Sequence, residues 1–296
     1  MFDDKKIDLM IVGAQKAGTT SLLRYLSEHP RINGQITKEF SYFIDDIEYN
    51  KDFNTVFNNY YNNKSAKVIV AKNAGLYVSE KGLKRLKKYN PDCKIVFIIR
   101  EPVSRTISSY KMEVNSGWLK QSFSELPYEI EKHKKGEYSL MYKLFVKQSL
   151  YVENLNLIYK YFDKNNVNVF LFEDLKSNSE KVCKQIFYNL KIYDDFVPNF
   201  KIIHNKSSFV KNQKLESLLH KLRNENNLVK RIIKIIIPFK TYLFLVEKIN
   251  KINKTNEVTN EIIIDNETVD FLKSFYKRYN MELSNLIGID LSHWNK

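Results

Sequence analysis

Cysteine is almost missing from this 296-residue chain: Cys93 and Cys183 stand 90 positions apart. That scarcity excludes a disulfide framework and a cysteine-built zinc site, and points to a reducing compartment. The five histidines, at positions 29, 133, 204, 220 and 293, have no paired spacing for a metal, so none is expected. His29, just before Pro30, reads as a helix-end residue. A nucleophile elbow, G-x-S-x-G, does not occur, which removes the common serine hydrolase layout. There is no internal repeat. Nor is there an unbroken apolar run long enough to span a bilayer, because KRIIKIIIPFKTYLFLV at 230–246 is interrupted by Lys234, Pro238 and Lys240. That stretch reads either as core-facing helices split at Pro238 or as an interfacial membrane contact helped by its lysines. The N-terminal MFDDKKIDLMIVG leads straight into a glycine loop and has the form of neither a signal peptide nor an anchor. A cytoplasmic protein is expected, with a peripheral contact at the inner membrane face left open by residues 230–246.

What is present is a globular composition. Hydrophobic residues make up 43% of the chain, ample for a sizeable core. Forty-eight Lys and Arg against 34 Asp and Glu give a net charge of +14. Such a balance favours nucleotides, acidic glycans, nucleic acid or an anionic membrane, and does not choose among them.

Apolar runs alternate with helical patterns. Ile7 to Val12 (IDLMIV), Lys67 to Ala71 (KVIVA), Lys94 to Ile99 (KIVFII) and Asn168 to Glu173 (NVFLFE) read as buried strands. Helical spacing follows each, in TTSLLRYLSEHP, in Ser79 to Tyr89, in VSRTISSYKMEV and in Ser179 to Leu190, with a long helical stretch from Leu140 to Phe162. The pattern predicts an α/β fold with a P-loop-like central parallel sheet flanked by helices on both faces. We read one domain over 1–296, with its core at 7–215 and a helical C-terminal extension at 216–296. Residues 116–138 lack a clean period and read as an inserted loop region, and a last helix is expected around Asn266 to Tyr279.

The first chemical signal is GAQKAGTTS at 13–21. The nucleotide loop G-x-x-x-x-G-K-[ST] is matched at Gly13, Gly18 and Thr20, but Thr19 occupies the lysine position and the lysine has moved to Lys16. A lysine at the loop apex still leaves the backbone N–H groups of residues 17–20 and the helix N-terminus able to cradle a phosphate. The second signal is at the third strand, where KIVFIIREPVSRTISSY places Arg100 at the strand's carboxyl end and Ser108 within the following helix. A guanidinium and a hydroxyl so placed suit one further phosphate.

The loop, with its following His-Pro, resembles the 5′-phosphosulfate loop of sulfotransferases that use 3′-phosphoadenosine 5′-phosphosulfate (PAPS). The second stretch resembles that family's 3′-phosphate motif, R-x-P-x-x-R-x-x-S-x-Y, with Arg100, Pro102, Arg105, Ser108 and Tyr110 all present. TKEFSYF at 37–43 is similar to the K-E-x-H-F-F signature of the carbohydrate sulfotransferases of the heparan sulfate type, with Ser41 at the histidine position. AKNAGLYV at 71–78 resembles the E-K-[ST]-P-x-Y stretch, but Ala71, Asn73 and Ala74 replace Glu, Ser or Thr, and Pro.

The resemblance implies PAPS as cofactor, without a metal, and a carbohydrate or glycolipid acceptor rather than nucleic acid. It carries over Glu39 as general base, Lys16 and Lys72 as catalytic lysines, and Ala17, Gly18, Thr19, Thr20 and Ser21 as the phosphosulfate cradle. Arg100 and Ser108 fall on the 3′-phosphate, Lys206 and Lys211 on a basic cover loop, and Lys38, Ser41 and Tyr42 beside the acceptor. Ser149 and Tyr151 match an S-x-Y element. The competing reading of Glu39 is a surface carboxylate paired with Lys38, and that of Lys206 and Lys211 a solvated basic face. The aromatics Tyr42, Phe43, Tyr60, Tyr61 and Trp118 are open between sugar stacking and local core. The anchor of Golgi-type relatives is not seen at the N-terminus, so a bacterial enzyme is expected. Two other functions remain: a P-loop nucleotide kinase, which the missing lysine at 19 argues against, and a non-catalytic basic polyanion- or membrane-binding protein.

Overall fold

The computed structural model describes residues 6–62, 65–117, 119–201 and 262–296, together with 209–212, 215–216 and scattered positions from 241 to 255. Contacts divide the chain into two compact units. One comprises 1–105, 146–205 and 273–296, the other 106–145 and 206–272.

The first unit contains a five-stranded sheet of β1 (Leu9–Gly13), β2 (Ile32–Gly34), β3 (Val68–Lys72), β4 (Lys94–Ile99) and β5 (Val167–Leu171). The order is β2-β3-β1-β4-β5 and every pairing is parallel. β1 is buried at all its positions, as an unbroken apolar strand must be in a sheet covered on both faces. From β1 the chain builds β2 and β3 on one side, then crosses to β4 and β5 on the other. The carboxyl end of β1 is therefore the point where strand order reverses, the place where such sheets open a crevice for ligands. Ile11 lies opposite Lys72 of β3 and Val96 of β4, so this register brings the glycine loop and Lys72 to the same edge.

Helices flank the sheet. α1 (Thr19–Ser27) follows β1 directly, while α2 (Asp46–Tyr49) and α3 (Phe53–Tyr60) are each opened by an aspartate, Asp45 and Asp52, accepting N–H bonds of the first turn. α4 (Glu80–Tyr89) starts at Ser79, whose side chain accepts from Gly82 N–H. α5 (Pro102–Asn115) is capped by Glu101, whose two oxygens accept from Val103 and Ser104 N–H at 2.7 and 2.6 Å. α6 (Leu126–Lys134) lies in the second unit; α7 (Tyr151–Tyr161), α8 (Phe172–Ser177) and α9 (Ser179–Asn189) lie in the first. α10 (Asn266–Ile287) runs eight residues beyond its expected end at Tyr279.

Three expectations need correction. The single helix from Leu140 to Phe162 is broken: π-helical and 3-10 turns cover Tyr142–Ser149, Leu150 leaves the helix with ψ 69°, and α7 begins only at Tyr151. Residues 116–138 are not all loop, since α6 forms there with a proline in its first turn and an Ser122–Glu125 capping box ahead of it. The short strand β2 was not foreseen, three residues being too few to show a period. In the second unit Tyr110 donates to Gln121 O at 2.9 Å, and β6 (Phe209–Val210) pairs antiparallel with β7 (Lys254–Thr255). No helix among the described residues is long and apolar enough to cross a membrane. Residues 230–246 lie outside the described residues apart from Thr241 and Leu245.

Four of the aromatic residues left open by sequence, Tyr42, Phe43, Tyr60 and Tyr61, are core. Phe40 packs edge-on against Tyr60 at 4.8 Å, Phe57 stacks on Tyr61 at 4.3 Å, and Tyr42 contacts Phe53 at 5.1 Å. Tyr42, Phe43, Tyr60 and Tyr61 are all buried, so none presents an open face for stacking; Trp118 lies outside the described residues.

His29 is a packing residue with a fixed tautomer. Its Nδ1 accepts Arg31 N–H at 3.1 Å, so Nε2 carries the proton and donates to Asp194 at 3.0 Å. Phe187 and Phe196 flank the ring, which is 1% exposed. His29→Ala should cost about 2–3 kcal/mol from the emptied site and lost hydrogen bonds. The His29 hydrogen bond holds the Asp194 carboxyl below its ordinary range. That contribution is complete above the unfolded aspartate value near pH 4 and is lost as pH falls through the lower folded value. The gap between thermal melts of wild type and variant should therefore be widest at neutral pH and narrow in acid to what the emptied site alone costs; an equal gap at both would refute the pairing.

Candidate active site

The loop after β1 is shaped by backbone conformation. Lys16 and Gly18 have φ of 73° and 80°, both left-handed, while Ala14 N–H is bonded to Ile98 O and Ala17 N–H to Ala14 O. Alternation of this kind turns successive N–H groups toward one concavity, the form of an anion-binding nest. Glycine is required at 18 for two reasons: its φ, and a Cβ there would lie 3.0 Å from Leu175 and 3.1 Å from Phe172. A Cβ on Gly13 would come within 2.3 Å of the Tyr77 ring. α1 then begins with no side-chain cap and no acidic residue in its first turn, so its positive end is left for an anion.

Two arginines brace this loop from outside. Arg100, at the end of β4, donates from Nη1 to Lys16 O at 3.2 Å and lies 4.9 Å over the Phe172 ring. Arg105 is fully buried; its Nε donates to Gln15 O and its Nη2 to Gln15 Oε1, both at 3.2 Å, and Nη2 also donates to Gln148 Oε1. Tyr77 closes the floor, donating to Gln148 O at 2.8 Å, and burial pushes its phenol up to about 12, so it stays a donor.

Beside the loop stands a buried lysine. Lys72, the last residue of β3, is 1% exposed, and its Nζ donates to Glu39 Oε1 at 2.7 Å and to Thr20 Oγ1 at 3.3 Å. Glu39 is half-buried, and its other oxygen accepts Ala74 N–H at 2.8 Å. Gln35 Oε1 accepts Lys72 N–H at 2.6 Å, locking the strand end. A carboxylate, an ammonium and a hydroxyl thus converge at the mouth of an anion nest. That set can take a proton, neutralise developing negative charge and orient an oxyanion.

Thr19, Ala17 and Lys72 are buried, while Lys16, Gly18, Thr20, Ser21, Glu39, Ser41 and Arg100 are half-buried and Lys38 is exposed. Ser41 O accepts from Ile44 and Asp45 N–H, tying it into a turn. Ser108 sits on α5 in the second unit, half-buried; Lys211, also there, is exposed and its N–H donates to Asn253 O. Lys206 lies outside the described residues. Ser149 and Tyr151 are buried, Ser149 Oγ being 3.5 Å from Pro102 O. Gln15, Gln35, Asn73 and Gln148 were missed by sequence reasoning, because neutral amides carry no motif of their own. Among the described residues no cluster of His, Cys, Asp or Glu is arranged to hold a metal.

Comparison with known proteins bears on this arrangement. The model of the sulfotransferase domain matches residues 6–234. Over 157 residues the chain is 27% identical to human heparan sulfate glucosamine 3-O-sulfotransferase 5, an alignment covering 52% of this chain and 44% of that protein. Over 131 residues it is 29% identical to the membrane-associated sulfotransferase kil1 of Dictyostelium discoideum, covering 42% and 26%. The chain thus spans less than half the length of these curated relatives. Among solved structures, a sulfotransferase from Alicyclobacillus acidocaldarius aligns with a TM-score of 0.67 over 99% of this chain and 100% of that one, at 20% identity, which shows a shared fold.

Proposed function

We propose that this chain, which belongs to the sulfotransferase domain family, transfers a sulfonyl group from PAPS to a hydroxyl or amine of a carbohydrate or glycolipid acceptor. The observation that carries the reading is the Lys72 ammonium held between Glu39 and Thr20 at the mouth of the 13–21 loop. An ATP loop would have its lysine at 19; here the lysines stand at 16, in the loop, and at 72, at the end of the neighbouring strand.

PAPS, when bound, supplies the sulfonyl group and a nucleotide leaving group. In-line sulfonyl transfer, like phosphoryl transfer, spreads charge over equatorial oxygens and asks the protein for position and electrostatic support. The N–H groups of Gly18 to Ser21 and the hydroxyls of Thr19 and Thr20 hold the phosphosulfate, with Ala17 keeping the loop's turn through its bond to Ala14 O. Lys16 offsets charge on the departing phosphate oxygen, and Lys72 meets a sulfonate oxygen. Glu39 takes the acceptor's proton. Arg100, fixed by Phe172 and Lys16 O, serves the 3′-phosphate, and Ser108, Lys206 and Lys211 keep the nucleotide-binding roles that the motifs give them. Lys38 and Ser41 flank the acceptor side; Tyr42 contributes by packing that segment. A cytoplasmic bacterial setting and a peripheral contact with an anionic membrane complete the reading.

Calorimetric titration without magnesium tests it. The product nucleotide 3′-phosphoadenosine 5′-phosphate (PAP) should bind at least tenfold more tightly than ADP or ATP, with Lys16→Ala and Arg100→Ala each weakening it by about tenfold or more, the loss of one charge-assisted contact. ATP binding as tightly as PAP would favour the kinase reading. Salt-sensitive binding with no preference for a 3′-phosphate would favour a non-catalytic polyanion binder.

A further inference from the structure

The turn after β3 gives Glu39 a support that the family's sequence pattern does not contain. Phe40 N–H donates to Lys72 O at 2.8 Å, Asn73 Nδ2 donates to Phe40 O at 3.0 Å, and Ala74 N–H donates to Glu39 Oε2 at 2.8 Å. Three successive residues of one segment are thereby bonded to the segment carrying the glutamate. Asn73 is buried, its N–H is bonded to Ile11 O in β1, and its Oδ1 accepts Gly75 N–H at 3.0 Å. That last bond closes an Asx turn and bends the chain so that the next N–H faces the carboxylate. In E-K-[ST]-P-x-Y the Ala74 position is proline, which has no N–H to donate.

We propose that Asn73 and the N–H of Ala74 are positioning elements for the base, holding Glu39 by its second oxygen so that it keeps its orientation when Lys72 turns to a sulfonate. The proposal rests on the reading of Glu39 as base. Its physical ground is the softness of the terminal torsion of a glutamate, which has no sharp rotamer wells. With Lys72 as sole donor, the carboxylate would lose its orientation at the moment the lysine moves. The amide donor does not move, because it belongs to a turn tied to β1.

The test needs no acceptor: PAPS turnover in water is followed as PAP and sulfate release. In that reaction the water oxygen bonds to sulfur, the bond from sulfur to the 5′-phosphate oxygen breaks, and Glu39 takes a water proton. Ala74→Pro removes the N–H and should lower kcat by about tenfold or more through lost orientation, with PAP affinity and melting temperature close to wild type. Ala74→Gly keeps the N–H and should restore the rate, and Asn73→Ala should fall between. Ala74→Pro at wild-type rate, or Ala74→Gly as slow as the proline variant, overturns the clamp. Should the proline variant not fold, Asn73→Ala decides, an unchanged kcat overturning the proposal. Glu39→Gln at wild-type rate, or wild type that binds PAP but releases no sulfate, overturns the base role as well. A slow Glu39→Gln beside a fast Ala74→Pro rejects the clamp alone.

Discussion

Glu39→Gln is expected to lower the rate of sulfonyl transfer by about 10²–10⁴-fold, the usual worth of a general base, while PAP binds as it does to wild type. The separation follows from the site's layout. The nucleotide is assigned to the 13–21 loop and to Arg100, which is held by Lys16 O and the Phe172 ring, and the Glu39 carboxylate reaches that loop through Lys72, whose Nζ also donates to Thr20 Oγ1. Glu39 itself is bonded to Lys72 Nζ and Ala74 N–H. Glutamine preserves size and one acceptor, but its amide nitrogen must then face one of those two donors, so some local rearrangement accompanies the lost base. Glu39→Asp separates the two effects: it restores a carboxylate but draws it back by one methylene, and should recover only part of the rate. The rates come from PAP formation with radiolabelled PAPS, the affinities from calorimetry. A glutamine variant within threefold of wild type would remove Glu39 from the chemistry and leave its carboxylate a hydrogen-bonding partner of Lys72 at the sheet edge.

The parallel sheet and its switch point were legible because strands buried on both faces leave continuous apolar runs, and IDLMIV, KVIVA and KIVFII are such runs. KIVFII keeps its limits, while the other two shift by one or two residues in the structure, and the shift matters once: β3 extends to Lys72, so this lysine is a strand-end residue aimed by sheet register rather than a loop residue. The loop could be read because left-handed backbone and close approach leave glycine at fixed spacing. What could not be read were interactions closed by neutral groups far apart in sequence. Gln148 joins Arg105 and Tyr77 across 43 and 71 residues, and Gln35 holds Lys72 across 37. The break at Leu150 was hidden for a related reason: the apolar period continues through it, and only the carbonyls of Gln148 and Lys147, which accept from the Tyr77 hydroxyl and from Asn154 Nδ2, show why the helix opens there.

Arg105→Ala should destabilise the protein by about 3–5 kcal/mol, the range for removing one partner from a buried charged network, and lower its melting temperature by roughly 10 °C. Arg105 looks at first like one more cation for a nucleotide phosphate, since it belongs to the motif that contains Arg100 and Ser108. Its burial argues otherwise. The guanidinium has no exposure, and its donors are directed at the Gln15 carbonyl, the Gln15 side chain and Gln148 Oε1. A planar fork with five donors can serve all these acceptors at once, whereas a lysine offers one nitrogen, so Arg105→Lys should recover only part of the loss. Removing the fork leaves buried acceptors without donors and a cavity beneath the loop, each a recognised source of large effects. Because Gln15 precedes Lys16, whose φ is 73°, slackening at Gln15 reaches the nest directly. PAP affinity should therefore fall in Arg105→Ala even at temperatures where the variant is folded, and ligand should raise its melting temperature by less than it raises that of wild type. If the variant melted within 2 °C of wild type while losing PAP affinity, Arg105 would be a direct phosphate ligand; if it melted early but bound PAP normally, the brace would end at Gln148 and not extend to the loop.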